Sequence, residues 1–401
     1  MTRSEPSADA DPPNPAAPAD APAPRHAPGA VRVLLRRVDS AIATLNPGYF
    51  ALTMATGIIS VAVELRDLDL LSHLMAAVCG VSWALLTVLT LIRIARHRTA
   101  IRRDFRDPRR GFGYFTFTAG TGVLGTVLLT EGQRGLAVAM LIITGVSWVL
   151  LGYIVPWTAV LHPSHRPTLP GANGTWFIWV VASQSVAVLA ATFEPTAVTF
   201  KDELGILAVF SWAVGCVLYA GVATLVAARL MLYALGPEDA VPAYWISMGA
   251  TAITVLAGSK VVLIGDNAAP MVRATRELAA GTSVIFWVFG TWLIPVLIAA
   301  GYWRHIVHRL PLRYDATLWS IIFPLGMYAV ASHYLGSESV DDLPLVKTIA
   351  DIEVWVALAA WSAVFLGMCV HLVRTLVLGH IVPPQPERPY IVPERDDDED
   401  G

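Results

Sequence analysis

The sequence predicts an all-α integral membrane protein: ten transmembrane helices built as five repeated helical hairpins, with the odd helices around a central pore and the even helices outside. Three observations predict it. Of the 401 residues 55% are hydrophobic and only 15% charged, and the mean hydropathy is +0.58, far from the balance of a soluble domain. Apolar runs long enough to cross a ~30 Å hydrocarbon layer fall at about 48–65, 70–92, 112–130, 136–160, 174–193, 204–228, 243–265, 278–300, 316–335 and 344–373. The odd-numbered runs also share one pattern, which sets the period of the repeat.

The chain opens on "MTRSEPSADADPPNPAAPADAPAPRHAPGA", rich in Pro, Ala and Asp and poor in large apolar groups. Residues 1–44 therefore read as a disordered cytoplasmic tail, without the continuous apolar core of a signal peptide. The ten spans occupy a single domain over 45–378. The first begins "NPGYFALTMATGI" and the second is more uniformly apolar, "LLSHLMAAVCGVSWALLTVLTLI". They lead to "RIARHRTAIRRDFRDPRRG", with eight arginines against two aspartates. The third span, "YFTFTAGTGVLGTV", and the fourth, "LAVAMLIITGVSWVLLGYIVPW", repeat the contrast. After the fifth, "WFIWVVASQSVAVL", the connection "FEPTAVTFKDELG" is acidic; after the eighth, "WVFGTWLIPVLI", Arg304, Arg309 and Arg313 make it basic again. The ninth, "LWSIIFPLGMYAVASHY", is followed by acidic "GSESVDDLP", and residues 379–401 end on "RDDDEDG", a solvated acidic cytoplasmic tail.

Under the positive-inside rule the basic loops and both termini are cytoplasmic in a multi-pass protein of the plasma membrane. The arginines would also suit an anion-collecting vestibule. Cys79, Cys216 and Cys369 lie inside separate spans and read as small packing residues, with neither a disulfide framework nor a metal site indicated.

Aligned without gaps from Tyr49, Tyr114, Trp176, Tyr244 and Leu318, the odd spans begin with large residues and turn small or kinked at one depth. Ala55-Thr56-Gly57, Gly120-Thr121-Gly122, Ala182-Ser183, Ala250-Thr251-Ala252 and Pro324-Leu325-Gly326 fall into register. Tight helix packing alone explains such a pattern in one helix. In five parallel helices it predicts a ring whose axis has room at that level, a pore. Thr53, Thr56, Thr118, Thr121, Ser183, Gln184, Ser185, Ser247 and Thr251 would place neutral dipoles there, suited to a partly dehydrated anion.

The chain resembles the tellurite-resistance and C4-dicarboxylate transporter family, which includes plant slow anion channels and yeast malate and sulfite transporters. "NPGYFALTMATGI", "WVFGTWLIPVLI" and "LWSIIFPLGMYAVAS" carry the resemblance, in that order along the chain. It implies a homotrimer of independent pores, each blocked at mid-depth by a phenylalanine on the ninth helix. The matching residue is Phe323, beside Pro324, and its equivalents in the repeat are Met54, Ala119, Val181 and Gly249. The expected lining is Thr56, Gly57, Thr121, Gly122, Ser183, Gln184, Thr251 and Gly326.

Lys260 is one of three lysines and stands eleven residues past the Phe323 level, about three turns and roughly 16 Å outward. Two readings remain open for it: attraction of anions toward the pore, or snorkelling to the interface. His333 and Glu64 are the titrating groups of the inner helices; His333 suits helix packing as well as a pore, and Glu64 is placed to pair with Lys260. The expected cargo is small inorganic or organic anions, moved by a channel or, alternatively, by a proton-coupled dicarboxylate, sulfite or tellurite carrier. A receptor or structural membrane protein is the third class. A membrane enzyme holding a haem or metal needs converging ligands, whereas His73, His333 and His371 are scattered. Neither a nucleotide-binding loop nor a nucleic-acid motif occurs, and no cofactor is expected.

Overall fold

The computed structural model describes residues 30–161, 167–239, 242–265, 267–339 and 343–378. Among them ten helices are long and apolar enough to cross a membrane. In chain order they are α1 (Ala51–Glu64), α2 (Asp69–Arg96), α3 (Phe115–Thr130), α4 (Arg134–Val155), α5 (Phe177–Phe193), α6 (Lys201–Leu232), α7 (Ile246–Val262), α8 (Pro270–Tyr302), α9 (Trp319–Tyr334) and α10 (Pro344–Leu372).

The odd helices begin on tight single turns, and the sequence shows why. Asn46, Asn173 and Asp315 each turn a side-chain oxygen onto the backbone N–H two residues on, at 2.8 Å, which satisfies a donor that the helix itself leaves open. The aromatic residues that follow sit in or beside these turns. Tyr49, Trp176 and Trp319 thereby stand at the starts of α1, α5 and α9.

Each odd helix packs on the even helix that follows it, giving five hairpins. The odd helices also meet one another in the order α1, α3, α5, α7, α9 and back to α1, which closes a ring. Burial separates the two sets: 72–83% of the apolar window of each odd span is buried, against 11–39% for the even spans. The even helices instead present large apolar side chains outward, such as Val81 and Leu85, Ile142 and Val146, Ile285 and Val288, as a lipid-facing wall requires.

Two expectations need correction. The stretch read as a tail to residue 44 contains a helix, Ala30–Ala43. Its sequence, AVRVLLRRVDSAIA, spaces apolar residues three and four apart, an amphipathic pattern that the Pro-rich residues before it conceal. The eighth helix extends well beyond the span expected from its apolar run, because Arg273, Arg276 and Glu277 mark the end of the hydrocarbon layer but not the end of the backbone helix. Residues 1–29 and the acidic 379–401 segment lie outside the described residues.

Small residues draw the inner helices together. A Cβ on Gly57 would stand 2.6 Å from Val123, one on Gly122 2.9 Å from Ser185, one on Gly249 2.8 Å from the Pro324 ring and one on Gly326 2.9 Å from Ile58. These glycines were expected to leave space along the axis. Gly57 and Gly326 are consumed in helix-to-helix contacts, because in lipid close backbone approach is the main source of dispersion energy between helices, while Gly122 packs on Ser185 and also borders a cavity.

Candidate functional site

Two cavities lie within the ring of inner helices, and all five helices contribute to both. The outer one, about 40 Å³, is bounded by Ile58 and Val61 of α1, Gly122 and Thr126 of α3, Ser185 and Val188 of α5, Ile253, Leu256 and Lys260 of α7, and Met327, Val330 and Tyr334 of α9. The inner one, about 10 Å³, is bounded by Ala51 and Met54, Thr116, Ile178, Ile246, and Ser320 with Phe323. By the volume a water needs, the first has room for about three and the second for about one.

The layer between them is apolar. On α9 the inner cavity reaches Phe323 and the outer one begins at Met327; on α1 the same step runs from Met54 to Ile58. On these two helices that is four residues, one turn, or about 6 Å of helix; on α3, α5 and α7 the step is longer, from Thr116 to Gly122, Ile178 to Ser185 and Ile246 to Ile253. Met54, Phe323 and Met327 are all at most 2% exposed, and Ala119 and Val181 are fully buried.

Pro324 follows Phe323 within α9 and lacks the N–H that would bond the Ser320 carbonyl. Ser320 borders the inner cavity, so the freed carbonyl lies where the backbone adjoins that space. The proline ring rests on Gly249 of α7, which is the support that a proline at mid-membrane needs.

Most of the hydroxyls expected on the axis turn out to be engaged elsewhere. The Trp361 indole donates to Thr56 Oγ1 at 3.0 Å and the Trp83 indole to Thr121 Oγ1 at 2.9 Å. Ser183 donates to the Ser211 carbonyl, Gln184 to the Trp212 carbonyl, and Thr118 to Ser147, while Thr53 shares a hydrogen bond with Ser82. Thr251 donates to its own helix at Met248, and its Oγ1 occupies the space beside Gly290 of α8. The reason is physical: a hydroxyl in an apolar medium needs a partner, and the outer helices supply one. Of the eight residues expected to line the axis, Gly122 is the one that borders a described cavity.

The sequence reading missed the outer tryptophans. Every even helix carries at least one tryptophan in its interior: Trp83, Trp148, Trp212, Trp287 and Trp361. Three of them donate to a hydroxyl of the next inner helix, Trp83 to Thr121, Trp287 to Ser332 at 2.8 Å, and Trp361 to Thr56. These three bonds stitch α2 to α3, α8 to α9 and α10 to α1. The signal was available as a Trp in the interior of every even span.

Lys260 is half-buried in the wall of the outer cavity, its ammonium 3.6 Å from the centre of the Tyr334 ring. This is a cation–π contact, and it holds the charge at the cavity. His333 packs edge-on to Tyr334 at 5.6 Å and is not among the residues described around either cavity. Glu64 ends α1 beside Thr130, Glu131, Asp69 and His73, with His73 and Glu131 3.2 Å apart. Thr130 borders the outer cavity, so this charged cluster stands at its rim.

Comparison with known proteins gives the following. The family described as SLAC1, voltage-dependent anion channel, matches residues 44–369. A membrane protein of Mycobacterium tuberculosis is 55% identical over 159 residues, 40% of this chain and 79% of that protein. Two proteins of Methanocaldococcus jannaschii named as uncharacterized transporters are more distant. One is 24% identical over 76% of this chain and 90% of its own, the other 26% over 72% and 82%.

Proposed function

The chain belongs to the SLAC1 voltage-dependent anion channel family, and on that premise we propose that small anions cross the membrane along the axis of the five inner helices, with Phe323 as the gate. The observation that carries this reading is the pair of cavities within the ring, separated by an apolar layer at Phe323 that is one turn thick on α9 and α1. An ion crossing such a layer loses its water with nothing polar in exchange, so the layer is a barrier until the ring moves. The working unit is a homotrimer in the plasma membrane, each chain with its own pore and both termini cytoplasmic.

Lys260 favours anions over cations in the outer cavity. A local potential of about one kT changes the concentration of a monovalent ion roughly threefold. Lys260→Gln is therefore expected to lower conductance by about that factor at ~10 mM salt, and far less at ~1 M, where the Debye length falls from ~30 Å to ~3 Å. Single-channel or liposome currents at the two salt concentrations measure it. An equal loss at both points to a structural role.

The second reading, a proton-coupled carrier, draws on the His73, Glu131 and Glu64 cluster at the outer rim. A proton would still have to pass the Phe323 layer, and no titratable side chain borders the inner cavity among the described residues. Passive flux is expected. The test is reconstitution in liposomes with a panel of anions, including chloride, nitrate, sulfite and malate, with and without a pH gradient. Anions at equal concentration and zero potential should show no net uptake when pH alone differs. Accumulation against the gradient, lost in His73→Ala or His333→Ala, establishes the carrier instead.

A further inference from the structure

Between α2 and α3 a short helix, Arg98–Arg106, carries four exposed arginines, Arg98, Arg102, Arg103 and Arg106. Three of them, 98, 102 and 106, repeat every fourth residue and form one row. Like charges at that spacing disfavour a helix, so something else holds it. Asp104 does: it is the buried residue of the helix, 2.7 Å from Arg93 of α2 and 3.2 Å from Arg110, and it accepts from the Tyr114 hydroxyl at 3.3 Å. Phe105 stacks flat on the Tyr114 ring, with centres 4.3 Å apart and planes 6° apart. The helix is bolted down on one face, and its arginines project from the other. Among the described residues none of the four has a carboxylate partner.

Position identifies the counter-charge. The short helix packs against the turn Pro156–Val160 at the end of α4, and Gly111 just beyond it would set a Cβ 3.2 Å from Ala159. Here Tyr153 is 79% exposed and Trp157 73% exposed. Exposed Tyr and Trp at the end of a lipid-facing helix mark the headgroup level. The arginine row thus sits on the outer ring, at the height of lipid phosphates and away from the axis. Guanidinium groups pair with phosphate oxygens in a two-pronged geometry.

We infer that Arg98, Arg102, Arg103 and Arg106 form a binding site for the headgroups of anionic phospholipids, held in place by Asp104. Native mass spectrometry of the full-length protein in detergent, titrated with phosphatidylglycerol or phosphatidylcholine, tests it without reference to transport. Wild-type protein should bind phosphatidylglycerol preferentially. Each arginine near an anionic surface contributes about fivefold in affinity, so changing all four to glutamine should weaken phosphatidylglycerol more than tenfold and leave phosphatidylcholine unchanged. Four lysines should restore most of the loss. Should the glutamine variant not fold, Arg102→Gln and Arg106→Gln singly should each lose about fivefold. Unchanged phosphatidylglycerol binding in the variants, equal binding of the two lipids, or displacement by equimolar inorganic phosphate overturns the inference.

Discussion

Phe323→Ala is expected to raise anion conductance at least about tenfold, the change produced by lowering a barrier by roughly 1.4 kcal/mol. The ring is 1% exposed, it borders the inner cavity, and one helical turn separates it from the outer cavity. Truncation to a methyl group would join spaces with room for about one and three waters, and water in the gap would spare the ion part of its dehydration cost. The same change removes a fully packed aromatic, so stability falls by about 3–5 kcal/mol on the scale of buried Phe truncations. Currents in planar bilayers, with size-exclusion chromatography to show folded protein, measure both effects. Phe323→Leu should give an intermediate conductance, since it keeps part of the volume. Folded Phe323→Ala protein with unchanged or lower conductance removes Phe323 from the gate.

Asp104→Ala is expected to lower stability by about 3–5 kcal/mol, the cost of leaving one partner of a buried ion pair alone. Arg93 and Asp104 are each only 3% exposed in their side chains and 2.7 Å apart, and the same carboxylate also faces Arg110 and Tyr114. Without it the Arg93 guanidinium keeps only its longer bonds, to the Ala43 carbonyl at 3.2 Å and the Tyr114 hydroxyl at 3.4 Å. Thermal unfolding of purified protein should show the loss. The double change Arg93→Leu with Asp104→Leu should recover much of it, because replacing a buried pair with apolar residues is often neutral. A single variant as stable as wild type, or a double variant no better than the single, places the stabilisation elsewhere.

The ten helices and their order were legible in the sequence because lipid leaves the backbone little choice. Each crossing must be helical and apolar for its full length, so hydropathy alone places it. Membership of the inner ring was legible as well, from small residues at one depth in alternate helices. Helix limits were less so: charges near Arg273 and Arg304 report the membrane boundary, while α8 begins before the first at Pro270 and the turn Trp303–Val307 carries the chain on past the second. The Ala30–Ala43 helix was hidden by averaging its amphipathic pattern with the Pro-rich stretch before it.

What the sequence determined by itself is the solvent, the number of spans, the five-hairpin repeat and the family. What tertiary structure decided is the direction in which each small or polar residue points. Thr56 and Thr121 share a depth with each other, two residues or about 3 Å along from the Phe323 level, and depth follows from counting residues at a fixed rise. Azimuth does not, because a helix can rotate until its hydroxyls find donors, and here Trp361 and Trp83 lie on the outer ring. The glycines likewise close contacts between helices, and the layer between the two cavities, at Phe323, is left apolar. A one-dimensional pattern fixes which residues meet a given level of the membrane; which of them meet each other is settled by the packing of ten helices at once.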